Sequence, residues 1–116
     1  MKLSEIVKEF GLEVKTASSH LDREVSGGYV SDLLSDVLAH ADEGVLWVTL
    51  HIHHNIVAVA SHKDLSGIIL VQGRQPEKDT VAKAEEEGIP IMVSELSAFE
   101  LVGRLYKAGI RGAEAL

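Results

Sequence analysis

Three nearly continuous apolar runs, Val45–Leu50, Gly67–Val71 and Ile89–Val93, stand out along the 116-residue chain. A strand covered on both faces reads this way, because both sets of alternating side chains meet other elements. Segments of helical period separate and follow these runs. Ile56–Leu65 is rich in β-branched residues, yet Val57, Ala60, Ser61 and Leu65 share one helical face, and Asn55 precedes them as a cap. The flanking strands also need a crossover between them, so this segment is predicted helical. Glu77–Glu87 is a charged helix with Val81 and Ala84 turned inward and Gly88 at its end. Ser97-Ala98-Phe99-Glu100 is a capping box. The helix it opens runs through Leu101, Leu105 and Tyr106 to Gly109, with Phe99 and Tyr106 placed on its packed face.

The N-terminal half is less regular. A short first helix is predicted with Ser4 as its cap, Ile6, Val7 and Phe10 on one face, and Gly11 as its left-handed end. Leu12–Ala17 alternates apolar and polar, as a half-exposed strand does. Ser18–Tyr29 reads as a loop with room for a short strand near Val25, and Gly27-Gly28 as a turn needing positive φ. A second helix begins at Ser31, with Leu34, Val37, Leu38 and Ala41 at helical spacing and Gly44 beyond its end. Asp32 and Asp36 lie one turn apart on its solvated face, Asp32 favouring the N-terminus. Ile110–Leu116 reads as a loose tail. Three consecutive strand–helix units then define an α/β fold of three layers. Its sheet is mainly parallel or mixed, with helices on both faces and right-handed crossovers. Periodicity leaves the strand order, and the direction of the N-terminal strand, open.

Composition narrows the function. The length fits one domain spanning residues 1–116. No cysteine is present, which removes disulfides, thiolate metal sites and cysteine nucleophiles and suits a reducing cytoplasm. Eleven basic against eighteen acidic residues give a net charge of −7, which repels a nucleic-acid backbone. With 4% aromatic residues, a base-stacking surface is not expected either. No apolar run approaches the ~18 residues of a spanning helix, and the N-terminus lacks the layout of a signal peptide. A cytoplasmic protein without a membrane partner is the expectation.

In an open α/β sheet, ligands bind where strand ends meet the loops leading into helices. Here those loops carry His51, His53, His54 and Asn55, then Gln72, Gly73 and Arg74, and finally Ser94. Each loop precedes a helix N-terminus, whose N–H groups and partial positive charge favour an anion, and Arg74 adds a full charge. His51 and His53 would share one side of an extended chain, so two ligands of a zinc or nickel ion are conceivable. A third ligand is not evident. Gly27-Gly28 lacks the lysine and hydroxyl of a Walker motif, and no nucleophile–base–orienter set can be read from spacing. Trp47, within a buried run, is assigned to the core, and Glu85-Glu86-Glu87 to solvent.

The chain also resembles the DRTGG domain along nearly its whole length. The resemblance rests on Gly27–Ser35, on Trp47-Val48-Thr49 followed by His54–Ala60, and on Gly67–Leu70, Ala84–Ile91 and Ala98–Tyr106. It is nearest to the short stand-alone members. It implies an α/β fold akin to the N-terminal domain of HPr kinase/phosphorylase and of the Mur ligases MurE and MurF, with a regulatory or structural role. Similar domains stand beside CBS pairs in regulated pyrophosphatases, and the resemblance implies a homodimer and a redox or signalling protein partner. The Asp-Arg of the family's name is replaced around His51–His54, and its Thr-Gly-Gly reads Val71-Gln72-Gly73. The kinase P-loop belongs to a different domain, so no kinase activity is implied. The leading expectation is a non-catalytic module, without cofactor or bound metal, that takes a small anionic ligand (a nucleotide among them) or a protein partner at the loop rim. A histidine-based metal-binding protein is the alternative, and a small transferase or hydrolase with a histidine base is the third.

Overall fold

Four parallel strands, each followed by a helix, occupy most of the chain. The structure, a computed structural model, describes residues 1–114. After helix α1 (Leu3–Phe10) come β1 (Glu13–Val14), a single 3-10 turn at Ser18–His20, β2 (Gly27–Val30) and α2 (Leu34–His40). Then follow β3 (Val45–Thr49), α3 (Asn55–His62), β4 (Gly67–Leu70), α4 (Lys78–Glu87), β5 (Ile91–Val93) and α5 (Ala98–Lys107). The strand order is β1-β5-β4-β3-β2, with β2 to β5 parallel and β1 antiparallel against β5. The three apolar runs are therefore central strands, and the Asn55–His62 segment is the helical crossover that parallel pairing demands.

Both faces of the sheet are filled, as those runs require. Trp47, Ile68 and Ile91 point to one face and meet Val37, Ile56, Val57, Ala60 and Ala84 from α2, α3 and α4. Their neighbours Leu46, Val48, Ile69 and Met92 point to the other, against Leu3 and Ile6 of α1 and Leu101 and Leu105 of α5.

Several elements differ from the expectation. The first helix starts at Leu3, ahead of Ser4, because the Glu5 carboxylate receives the Lys2 N–H at 2.7 Å and caps the turn itself. The predicted Leu12–Ala17 strand shrinks to two residues. Beyond it Thr16 turns inward: its hydroxyl donates to Ile89 O at 2.7 Å and receives the Ile91 N–H at 2.8 Å. We expect Thr16→Val to cost about 1–3 kcal/mol, since it orphans two buried backbone groups while keeping the shape. Urea unfolding of the variant checks this.

Gly27-Gly28 is not a turn with positive φ. Both residues lie in β2, in parallel register with Val45 and Leu46. They are small because another stretch of chain runs past them. The Gly28 N–H donates to Arg111 O at 2.8 Å, the Ala113 N–H donates to Gly28 O at 3.0 Å, and a Cβ on Gly27 would stand 3.1 Å from Arg111 O. The described part of the expected loose tail is thus pinned along the sheet edge, with Ile110 buried; residues 115–116 lie outside the described residues. Helix α2 begins at Leu34 rather than Ser31, because the intervening residues are drawn to the end of β3.

Two helix faces also differ from the expectation. On α4 it is Thr80, not Val81, that is buried with Ala84, its hydroxyl donating to Ile52 O at 2.7 Å. On α5, Phe99 and Tyr106 face solvent, while Leu101 and Leu105 fill the core. Glu85, at the end of α4 where an acid is unfavourable, accepts the backbone N–H of Ala17, a residue at φ 52°. That contact accounts for a carboxylate at this position. Ser97 caps α5 as expected, receiving the Glu100 N–H at 3.3 Å, whereas the Glu100 side chain turns to Arg104 instead.

Candidate functional site

Because β2 to β5 run the same way, their C-terminal ends and the loops leaving them share one rim. At its centre, β3 ends on Thr49 and the chain must turn into α3. Asp32, in the connection after β2, holds that end: one carboxylate oxygen receives the Thr49 hydroxyl at 2.7 Å and the Leu50 N–H at 2.8 Å. Thr49 Oγ1 in turn accepts the His51 N–H at 3.2 Å, and His51 Nε2 lies against the Asp32 carbonyl oxygen. From the next loop, Arg74 reaches over and donates from Nη1 to Leu50 O at 2.8 Å. Asp32, Leu50, His51, Ile52, His53 and Arg74 thereby wall a hollow of about 220 Å³.

The loop that carries Arg74 is rigidly placed. Gln72 and Gly73 both take positive φ, 60° and 66°, and their N–H groups donate to Leu96 O and Ser94 O, each at 2.8 Å. At φ 66° Gly73 holds a left-handed turn that a residue without a Cβ adopts at no steric cost.

Of the residues expected at the rim, His51, His53 and Arg74 are brought together around the hollow. His54 and Asn55 lie beside it at the start of α3, with the His53 and His54 rings 4.0 Å apart between centroids. Asn55 does not cap the helix. The N-cap residue is His54, which makes no side-chain cap, and the Asn55 N–H donates to His53 Nδ1 at 3.2 Å. Asn55 Oδ1 is buried without a hydrogen-bond partner among the described residues. Gln72, Gly73 and Ser94 belong to the adjoining loops and do not line the hollow. Ser94 is buried, and its hydroxyl receives the Leu96 N–H at 3.2 Å. For a metal, His51 and His53 lack a third ligand: among the described residues, no three histidines, cysteines or acids cluster in a way that could hold an ion.

Asp32, expected on a solvated helix face, instead holds the end of β3 and lines the hollow. A signal was present: an aspartate two residues after the strand-like Tyr29-Val30 pair suits the end of a neighbouring strand. Partial burial pushes its carboxyl pKa up. The Leu50 N–H, the Thr49 hydroxyl and the nearby His51 and Arg74 charges outweigh that, so the group sits below the ordinary carboxylate value. Its stabilisation is therefore present above the unfolded pKa and is lost as pH falls through the lower folded one. Replacing Asp32 by Asn should cost about 1 kcal/mol at neutral pH, the low end for a bond to a charged acceptor because the residue is exposed. That difference from wild type should vanish in strong acid, which urea unfolding across pH would show. Asp36, the other acid of the pair, is held low by the Ser31 and Tyr29 hydroxyls and by His40. The same contact, with Asp36 accepting the Tyr29 hydroxyl at 2.9 Å, raises the tyrosine pKa.

Parallel strands, flanking helices and a polar rim define a three-layer α/β fold with a mixed sheet. The crystal structure of the CBS and DRTGG domains of the Clostridium perfringens pyrophosphatase regulatory region, complexed with its activator diadenosine tetraphosphate, superposes with a TM-score of 0.67 at 15% identity. The match covers 88% of this chain and 44% of that one, so the chain spans less than half the length of its neighbour. Neither a protein-family model nor a curated protein matches the sequence.

Proposed function

We propose that residues 1–116 form one DRTGG-like domain. It is a regulatory module that takes a small anionic ligand at the rim hollow, the phosphate of a nucleotide above all, and does not turn it over. The observation that carries this reading is the convergence of Arg74, His51 and His53 on one hollow at the C-terminal ends of parallel strands. At about 220 Å³ the hollow suits one phosphate or sugar-phosphate unit, with the rest of the ligand lying along the open rim. Asp32 repels an anion from its own wall and so steers it toward Arg74 and the histidines. In the hydroxyl–carboxylate contact of this region, Thr49 to Asp32, the hydroxyl is buried; it ties down the strand end and presents no nucleophile. The pyrophosphatase region of like fold binds diadenosine tetraphosphate as an activator, which supports a nucleotide as the class to test.

The same reading places the module in the cytoplasm and gives it a redox or signalling protein as the reader of its ligand state. The absence of cysteine favours the first, and the resemblance to short DRTGG members favours the second. Among the described residues no helix is long and apolar enough to cross a membrane. Calorimetric titration with diadenosine tetraphosphate, AMP and inorganic phosphate is the test. Saturable binding of a nucleotide, with the nucleotide recovered intact, is expected. No binding by any of the three, or hydrolysis that is lost in His51→Ala, would overturn the proposal.

A further inference from the structure

At the end of the sheet opposite the rim, the packed helices α3 and α4 lead into β4 and β5. Their two connections border a hollow of about 400 Å³, with Leu65, Ile89 and Pro90 as apolar walls and Ser66 between them. Ser66 is 1% exposed, and its hydroxyl oxygen has no hydrogen-bond partner among the described residues. The side chain is directed at the hollow. A Cβ on Gly67 would meet Leu3 and Met92, on the face of α1 and α5, so its neighbours Ser66 and Ile68 point to the face of α3 and α4. A hydroxyl buried without a partner destabilises a fold, and one that borders a hollow marks where the polar group of a ligand sits.

We propose that this hollow binds a small aliphatic amine of the diamine or polyamine class, one ammonium group donating to Ser66 Oγ. Charge selects a cation. Asp22, Asp64 and Glu87 line the hollow against a single guanidinium, that of Arg23. Arg23 is already committed, donating to Asp64 Oδ1 at 3.0 Å, Asp64 O at 2.7 Å and Leu65 O at 3.4 Å, so it does not serve an anion. Asp22 and Glu87 are paired with the exposed Lys2 at 3.2 Å and Lys83 at 3.6 Å, and pairs of that kind are weak enough for a bound cation to replace. The C-terminal ends of α3 and α4 add partial negative charge from their last carbonyls. Size and donor set favour an organic cation over a metal ion. Among the described residues no three histidines or acids cluster to hold an ion, and the volume exceeds that of a single one. An ammonium brings three donors and no acceptor, which suits a hydroxyl oxygen and carboxylates, while the apolar walls cover the methylene chain. The His20 ring closes one side over Gly88, where a Cβ would stand 3.0 Å from Nε2. The site stands apart from the rim and needs no ligand there.

Calorimetric titration of the full chain with putrescine and with spermidine tests this, with magnesium and potassium chloride at matched ionic strength as the inorganic arms. Saturable binding of an amine is expected, and the two salts should do no more than screen it. Ser66→Ala should weaken that binding about tenfold or more, the worth of a hydrogen bond to a charged group. Its urea midpoint should equal or exceed that of the wild type, because the substitution deletes an orphan hydroxyl and no bond. Glu87→Gln should also weaken binding, whereas Glu9→Gln, at an exposed acid on α1, should not; the contrast separates a site from general attraction to an acidic chain. A chain that binds neither amine overturns the proposal, as does saturable binding of magnesium or potassium in their place. So does an amine affinity that Ser66→Ala leaves unchanged, or a loss of stability in that variant, which would give the hydroxyl a structural role instead.

Discussion

Trp47→Ala is expected to lower folding stability by about 4 kcal/mol, out of the roughly 6–17 kcal/mol that a domain of this length holds. The indole is fully buried on the central strand β3, in the core shared with Val37, Ile56 and Ile68, and its Nε1 donates to Ser31 O at 2.9 Å. Truncation removes the ring from a close-packed interior and leaves a cavity, because strands on either side prevent the site from collapsing. It also orphans the Ser31 carbonyl just before Asp32, so the rim should loosen together with the core. Trp47→Phe retains most of the apolar volume and loses chiefly the hydrogen bond, for about 1 kcal/mol. Urea unfolding followed by circular dichroism measures both. Equal losses in the two variants would mean that the core refills around the missing ring.

Arg74→Ala should leave stability nearly intact and weaken nucleotide binding about 10–100-fold, the worth of one charge-assisted hydrogen bond to an anion. Its bond in the free protein goes to Leu50 O, an exposed acceptor that water can serve. Removing the guanidinium therefore costs the fold little and deprives the hollow of its permanent positive charge. Arg74→Lys should recover part of the affinity, since the charge remains but the planar fork is lost. The wild-type affinity should fall as salt is added, and the variant's should respond less. Affinity unchanged in Arg74→Ala would move the ligand away from this hollow.

The central strands were legible because burial on both faces leaves a run without alternation, and Val45–Leu50, Gly67–Val71 and Ile89–Val93 have no competing period. The crossover at α3 was legible despite its β-branched residues, since parallel strands cannot be joined without one. Strand β2 escaped notice for a local reason: Gly27-Gly28 has the composition of a turn. Its glycines answer to the chain at Arg111–Ala113, more than eighty residues away, and no local pattern reports that. The rim was legible as a set of loops, so His51, His53 and Arg74 were named together. Asp32 was missed because its partners, Thr49 and Leu50, become neighbours only once β2 pairs with β3.

From sequence alone followed the α/β class, the parallel central strands with their helical crossover, and the rim on which polar and basic side chains gather. These rest on periodicity and chain connectivity, which act over a few residues or one crossover. The strand order, the antiparallel β1 and the pinning of the chain after Ile110 needed the tertiary structure, because they depend on which surfaces compete for the same edge. So did the division of α5 into a buried and an exposed apolar face. Leu101 and Leu105 fall on the same helical repeat as the sheet beneath them, and a single helix can bury one stripe against a single sheet. Phe99 and Tyr106, equally apolar in sequence, are left on the outside.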